Sequence, residues 1–73
     1  MGDGGAILTA ARELGEAMAL ASEALGSGHW RALQEVGLEK VGYDALEGGA
    51  LSARQMVDLA AYFRNEVDYY AGS

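Results

Sequence analysis

The hydrophobic and polar positions of this chain recur at helical spacing in three blocks, which two glycine clusters separate. No segment alternates between apolar and polar residues over a useful length, as a half-buried strand would. The pattern therefore predicts an all-α fold, a small bundle of three helices with the middle one broken into two short helices. We expect a single helical domain at residues 6–70, a flexible tail at 1–5 and a frayed C-terminus at 71–73.

The first block runs from about Ala6 to Leu25 and has apolar residues at alternating steps of four and three. They are Ile7, Ala11, Leu14, Met18, Ala21 and Leu25. This spacing places all six on one face of a helix, which we predict to be its core-facing seam. Leu20 lies on the polar side of the same helix. It is interpreted either as a single exposed leucine, which is common, or as part of a second contact surface.

The middle block, residues 29–47, has two interpretations. In the first it is one helix that contains Gly37 and Gly42, each costing up to about 1 kcal/mol relative to alanine. In the second, Gly37 ends a short helix through a Schellman motif, with Leu33 and Leu38 in apolar contact across it. A second short helix would then follow. The second interpretation is slightly favoured.

The last block contains three signals that agree on one helix start. Ser52 is a candidate N-cap, and Gln55 three residues later completes a capping box. Leu51 and Met56 are placed to form the matching hydrophobic staple. The apolar stripe that follows predicts the buried face of a helix reaching to about residue 70: Met56, Leu59, Ala60, Phe63, Val67 and Tyr70.

Aromatic residues outside these stripes are the candidate interface. Tyr62 and Tyr69 lie seven residues apart on one flank of the last helix, and Trp30 lies in a glycine-rich turn. Tyrosine and tryptophan provide large amphipathic contact areas and are favoured in protein interfaces. We therefore predict protein contacts at Tyr62, Tyr69, Trp30 and Leu20. The alternative is that the rings cover the edge of the core.

The composition excludes several kinds of chemistry. The chain has no cysteine, which rules out disulfides, thiolate catalysis and iron–sulfur clusters. Its single histidine, His29, cannot form a histidine-rich zinc site, and no Glu-x-x-His pair suits a di-iron bundle. No serine is accompanied by the general base and orienting group that nucleophilic catalysis needs. No glycine-rich phosphate-binding loop occurs. We expect no catalytic, cofactor-binding or metal-binding residues, no cofactor and no enzymatic activity.

The charge balance limits the kinds of partner. Eleven acidic residues against five basic ones give a net charge of −6. The bases are scattered, so no basic stripe can follow a phosphate backbone, and the acidity disfavours anionic membranes. No apolar run reaches the roughly 18 residues that span a bilayer, and the N-terminus lacks the basic region of a secretory signal. We expect no direct nucleic-acid or membrane binding. These features do not determine the cellular compartment, and the cytoplasm is the default expectation.

Two stretches resemble families that carry a cofactor or prosthetic arm. The segment from Leu51 to Tyr70 is similar to the closing helix of small c-type cytochromes, which would imply haem, but the C-x-x-C-H attachment motif is absent. The segment Gly42-Tyr43-Asp44-Ala45-Leu46 resembles the G-x-D-S-L stretch of acyl and peptidyl carrier proteins. In that family the serine receives the phosphopantetheine arm, and here Ala45 stands in its place.

A third resemblance is to small secreted helical hairpins with a Trp-x-Gly turn and a terminal Tyr-x-x-x-Asp/Glu signal. Trp30 lies at an inter-helix turn, and Tyr62 and Glu66 have the spacing of the signal. However, Arg31 and Ala32 follow the tryptophan where that family has x-Gly. The resemblance would imply a secreted protein of this WxG type.

A chain of this length obtains only a few kcal/mol of net stability from one core, so a second copy or another protein is expected to add to it. We expect a non-enzymatic, acidic helical protein that acts as a structural, assembly or protein-interaction subunit, in a homo-oligomer or a larger complex. The alternative is an acidic regulatory inhibitor that occupies a basic site on a partner, such as a nucleic-acid-binding site. Further alternatives are the WxG-type secreted protein and a degenerate carrier-like domain without the attachment serine.

Overall fold

The computed structural model describes residues 2–72, which form three α-helices and one short 3-10 turn. The elements are α1 (Gly2–Leu25), α2 (Ser27–Lys40), the 3-10 turn (Ala45–Glu47) and α3 (Ala53–Ala71). The described residues contain no strand. The prediction of an all-α chain with three helices is confirmed, whereas the predicted break in the middle helix is wrong.

Gly37 lies inside α2, where it allows a close helix contact. The helix runs without interruption from Ser27 to Lys40, and Gly37 is buried in it. A Cβ atom at Gly37 would lie 2.8 Å from the Leu59 Cδ1 and 3.1 Å from the Phe63 Cε1. The sequence suggested a helix stop here, but the glycine instead lets α2 approach α3. The packing gained at this contact offsets a helix-propensity cost of about 1 kcal/mol.

The Schellman motif predicted at Gly37 occurs five residues later, at Gly42. Gly42 has a φ of 80°, a conformation that glycine adopts without the steric cost of a Cβ. Its N–H donates to the Glu39 carbonyl at 3.1 Å, and the Tyr43 N–H donates to the Leu38 carbonyl at 3.0 Å. These are the two hydrogen bonds of a Schellman motif, so the middle helix ends here.

A 3-10 turn takes the place of the predicted second short helix. The Asp44 carboxylate accepts a hydrogen bond from the Leu46 N–H at 2.9 Å at its start. Gly48, with a φ of 71°, ends it. None of its residues is buried, and Leu46 is 97% exposed. The turn therefore contributes nothing to the core.

The predicted start of α3 is confirmed. The Ser52 Oγ accepts a hydrogen bond from the Gln55 N–H at 3.1 Å, and the Gln55 Oε1 accepts one from the Ser52 N–H at 2.9 Å. These two bonds form a complete capping box. The Gln55 Nε2 also donates to the Val41 carbonyl at 3.2 Å, so the start of α3 is joined to the end of α2.

The outer ends of the helices lie close to the ends of the described chain. The first helix begins at Gly2, four residues before the predicted start at Ala6, so residues 2–5 are helical. The third helix ends at Ala71. Met1 and Ser73 lie outside the described residues. The extent of the predicted domain, 6–70, and the flexibility of its two ends stay predictions.

The three helices alternate in direction. The first turn of α2 contacts the last turn of α3 through the rings of His29 and Tyr70, and its C-terminal end contacts the first turn of α3 through Val41 and Gln55. Thus α2 is antiparallel to α3. Because Gly26 alone links α1 to α2, the C-terminal ends of α1 and α3 lie at the same end of the molecule.

The core lies mainly between α1 and α3, which form the principal packing pair. Its buried residues are Leu14, Ala17, Ala21, Leu33, Leu59, Ala60 and Phe63. Three of the seven are alanines, so the backbones of α1 and α3 can lie close together. Phe63 is the largest side chain that is fully buried, at 1% exposed.

The buried face of α1 is rotated from the predicted seam toward small residues. Ala10 and Ala17 are buried beside the predicted Leu14 and Ala21, whereas Ile7 and Ala11 are exposed. The predicted Met18 and Leu25 pack at the edge of the core. Alanine permits the closer approach of α3, which is why the contact centres there. All residues from 4 to 9 are exposed, so the seam begins one helical turn later than predicted.

Candidate functional site

The structure places the four predicted interface residues in different environments. Tyr62 and Trp30 are half-buried and pack against the core. Leu20, on α1, is 48% exposed, and Tyr69, in the last turn of α3, is 70% exposed. Tyr62 and Tyr69 therefore share a flank of the helix but not an environment. A role for these residues in a protein interface stays a prediction.

Trp30 packs on the core from the first turn of α2. Its ring lies edge-on to the ring of Phe63, with the centroids 4.8 Å apart and an interplanar angle of 68°. Edge-to-face aromatic pairs of this kind contribute about 0.5–1.5 kcal/mol beyond the burial of their area. In the isolated chain Trp30 therefore covers the core.

Tyr62 lies next to Gly37, where α2 and α3 are in close contact. A Cβ atom at Gly37 would be 3.1 Å from the Tyr62 Cδ2, and the Lys40 Nζ lies 5.8 Å from the centroid of the tyrosine ring. Burial raises the pKa of Tyr62 above its ordinary value, and the negative charge of Glu66 and the neighbouring Tyr70 raise it further. The ring thus contacts α2 on one side, and on the other side its phenol interacts electrostatically with the carboxylate of Glu66.

Beside Tyr62 an open groove of about 260 Å³ runs between α2 and α3; we call it the α2–α3 groove. Helix α2 supplies an imidazole and three aliphatic side chains, and α3 supplies two phenols and a carboxylate. The lining residues are His29, Ala32, Leu33, Val36, Tyr62, Glu66 and Tyr70. The three residues from α3 are four positions apart, so they form one row along the helix.

Tyr70 lies at the open end of the groove, not on the buried face predicted for it. Its ring is 53% exposed because only the first turn of α2 reaches it. The ring of His29 packs against it with centroids 4.6 Å apart at 78°, and the ring of Tyr69 packs against it at 4.8 Å and 89°. Two aromatic neighbours therefore position a ring that remains half open to solvent.

Glu66 is the one carboxylate among the lining residues of the groove. Its side chain is half-buried, between Tyr62 and Tyr70 along α3. Among the described residues the only ion pair joins Arg54 and Asp58, at 3.3 Å on the exposed side of α3. Thus Glu66 has no cationic partner in the described part of the chain.

Sequence reasoning missed His29, Glu66 and Tyr70 as members of one site. A signal was present on α3, because Tyr62, Glu66 and Tyr70 follow each other at intervals of four residues. The position of His29 opposite this row depends on how α2 packs against α3. That packing depends in turn on Gly37, which the pattern favoured as a helix stop.

Two further concave regions differ from the groove in chemistry. One, of about 140 Å³, opens between the three helices and is mainly apolar; its lining residues are Leu14, Met18, Gln34, Leu38, Leu51, Leu59 and Phe63. The other, of about 160 Å³, lies in the connection between α2 and α3 and includes Asp44 and Glu47. In the described part of the chain, no three His, Cys, Asp or Glu side chains are grouped so that they could hold a metal ion.

Comparison of the chain with protein-family models, with curated proteins and with solved structures finds no match. Among the described residues, no helix has the length and apolar character needed to cross a membrane. Of these three concave regions, the α2–α3 groove alone has a carboxylate, Glu66, between two aromatic rings, in addition to an aliphatic wall. Such a lining can hold a partner's side chain by apolar contact, by contact with the rings and by charge.

Proposed function

We propose that this chain is a non-enzymatic protein-interaction subunit that completes its packing against another protein. The observation that carries the proposal is its accessible surface of 4996 Å². A compact monomer of 7.6 kDa is expected to expose about 4,300 Å². The excess, about 700 Å², is close to the roughly 800 Å² that each protein contributes to an interface of standard size.

The character of the exposed surface supports the same proposal. Among the described residues, eight large apolar or aromatic side chains are exposed: Ile7, Leu8, Leu20, Val36, Leu46, Val57, Tyr69 and Tyr70. The radius of gyration, 12.5 Å, exceeds the roughly 11 Å expected for a compact domain of this length. An elongated bundle with a small core gains stability when a partner covers part of this surface.

A second candidate function is that of an acidic regulatory inhibitor of a basic partner. It is favoured by the net charge of −6, because a surface of one sign attracts proteins of the opposite sign. The two candidates differ in their consequence for the partner. An inhibitor blocks an activity of the protein it binds, whereas an assembly subunit leaves that activity in place.

Sedimentation equilibrium from micromolar to millimolar concentration, together with a pull-down from the native source, tests the proposal. We expect either reversible self-association or a partner recovered in stoichiometric amount. Tyr69→Ala should reduce the recovery, and Asn65→Ala, at an exposed polar position of α3, serves as the control. A strict monomer that recovers no partner under any condition would contradict the proposal.

A further inference from the structure

The α2–α3 groove has the composition of a receptor for a cationic side chain. We propose that it binds an arginine side chain, carried by an apolar-flanked segment of a basic partner protein. This inference rests on the proposed function and names the chemistry of the partner. It is carried by the unpaired Glu66, by the aromatic rings on both sides of this carboxylate, and by the aliphatic wall that α2 provides.

Within residues 2–72, the carboxylate of Glu66 lacks a partner of opposite charge. A half-buried carboxylate loses part of its hydration and is stabilised when a cation or donor replaces the lost water. Glu66 is half-buried, and among the described residues no cation lies within ion-pair distance of it. A guanidinium can supply two parallel N–H···O hydrogen bonds to one carboxylate. The groove therefore lacks the one group that its carboxylate would bind most strongly.

The rings of Tyr62 and Tyr70 can each attract a cation. A cation within about 6 Å of an aromatic centroid is attracted to the face of the ring, and the Lys40 Nζ already lies 5.8 Å from the centroid of Tyr62. Tyr70, on the other side of Glu66, has no such cation in the described part of the chain, and it is positioned by edge contacts with two other rings. Arginine stacks on aromatic rings and also pairs with carboxylates, so one arginine can contact the ring of Tyr70 and the carboxylate of Glu66 together.

The α2 side of the groove is aliphatic, and the groove has room for a long side chain. Ala32, Leu33 and Val36 line the α2 side and can contact the methylene groups of a long side chain. The groove has a volume of about 260 Å³ and is open to solvent. That volume accommodates one arginine side chain. The apolar residues next to that arginine in the partner would lie over the exposed Val36.

The charge of the chain favours a basic partner over a second copy. Each copy carries a net charge of −6 and only five basic residues. Two of these bases already have neighbours, because Arg54 pairs with Asp58 and Lys40 lies over Tyr62. Two copies would also repel each other through their net charge. The negative electrostatic field of the chain instead attracts a basic protein, which raises the association rate and the specificity of binding.

The test is an NMR titration with two synthetic peptides. Both are amphipathic helices of leucine and alanine; one carries arginines on its polar face and its twin carries citrulline, which is neutral and nearly isosteric. His29 is the only histidine, so its ring protons report on the groove without overlap from other histidines. We expect the arginine peptide to shift the ring signals of His29, Tyr62 and Tyr70. The citrulline twin should bind about five- to tenfold more weakly.

Two variants separate the groove from the overall charge. Glu66→Gln should weaken binding of the arginine peptide about fivefold. Asp68→Asn removes the same charge from an exposed position of the same helix that does not line the groove, and it should change the affinity less than twofold. Thermal melting of each variant verifies that the fold is kept.

Equal effects of the two variants would overturn the proposal, as would peptide-induced shifts confined to residues of the apolar cavity, such as Met18 and Leu51. Shifts of the His29 ring with protein concentration alone would assign the groove to a second copy. If neither peptide binds, the arginine site is refuted. The proposed function as an interaction subunit is then still decided by sedimentation and pull-down.

Discussion

The two sides of α3 pack in different ways. Toward α1 the contact is continuous and rests on alanines, with Ala17, Ala21 and Ala60 all at most 2% exposed. Toward α2, Gly37 packs tightly against Leu59, and beyond Tyr62 the two helices leave the α2–α3 groove open. The comparison shows how the size of a few side chains decides whether an interface closes. Alanines on both helices close one side of α3, and a single glycine closes only one end of the other.

The largest effect is expected from the removal of Phe63, which packs on both the α1 side and the α2 side of α3. Phe63→Ala should lower the free energy of unfolding by about 3–5 kcal/mol, because Phe63 is buried among all three helices. For a chain of this size that loss should abolish the cooperative urea transition. Val57→Ala, at a solvent-exposed position of α3, should change stability by no more than about 0.5 kcal/mol. Similar effects of both variants would contradict this description of the core.

A pair of glycine substitutions tests the α2 side directly. Gly37→Ala should destabilise the protein by up to about 2 kcal/mol, because the added methyl would lie 2.8 Å from the Leu59 Cδ1 and the overpacking cost of about 1–3 kcal/mol exceeds the helix-propensity gain of about 1 kcal/mol. Gly15→Ala, in the interior of α1 with nothing within 4 Å of the added methyl, should stabilise it by about 0.5–1 kcal/mol. Urea denaturation measures both. The same sign for both variants would show that α2 does not approach α3 closely at Gly37.

A smaller effect concerns the start of α3. Ser52→Ala removes the hydroxyl that accepts from the Gln55 N–H and should cost about 1 kcal/mol. The Gln55 side chain also joins α3 to α2 through the Val41 carbonyl. Gln55→Ala should therefore increase amide exchange at the end of α2, and Ser52→Ala should do so less. Equal exchange in the two variants would argue against this link.

The smallest effect is a pH dependence at Tyr62. Its pKa is raised above the ordinary value of 10.0, mainly by burial and then by the charge of Glu66. Above pH 10 the unfolded chain releases this proton more readily than the folded chain, so folding stability should fall as the pH rises through that region. Stability curves of the wild type and Tyr62→Phe should diverge there. If ultraviolet titrations of the wild type and Tyr62→Phe show that the phenol lost in the variant ionises at or below pH 10, the raised pKa of Tyr62 is contradicted.

Much of the fold could be predicted because its signals are local. The capping box at Ser52 and Gln55 depends on neighbouring residues only, and so does the helical spacing of the three blocks. The role of Gly37 could not be predicted, because a glycine in a helical pattern serves equally as a helix stop or as a point of close approach. Only the position of Leu59 on another helix decides between these roles.

The candidate site could be predicted only in part, for the same reason. The position of Tyr62 and Tyr69 on one flank of α3 follows from helical spacing. The different exposure of the two residues follows from where α2 begins, which brings His29 beside Tyr70 and leaves Tyr69 largely exposed. The half-burial of Glu66 likewise depends on the depth of the groove, which is a property of the assembled pair of helices.

The most direct measurement of the central claim is the set of intermolecular NOEs between the chain and the arginine peptide. If the α2–α3 groove receives the guanidinium, the arginine Hδ protons should show NOEs to the rings of Tyr70 and His29, and at the same peptide concentration these should be weaker in Glu66→Gln and unchanged in Asp68→Asn. NOEs instead to Met18 and Leu51, which line the apolar cavity between the helices, would place the peptide elsewhere and contradict the claim.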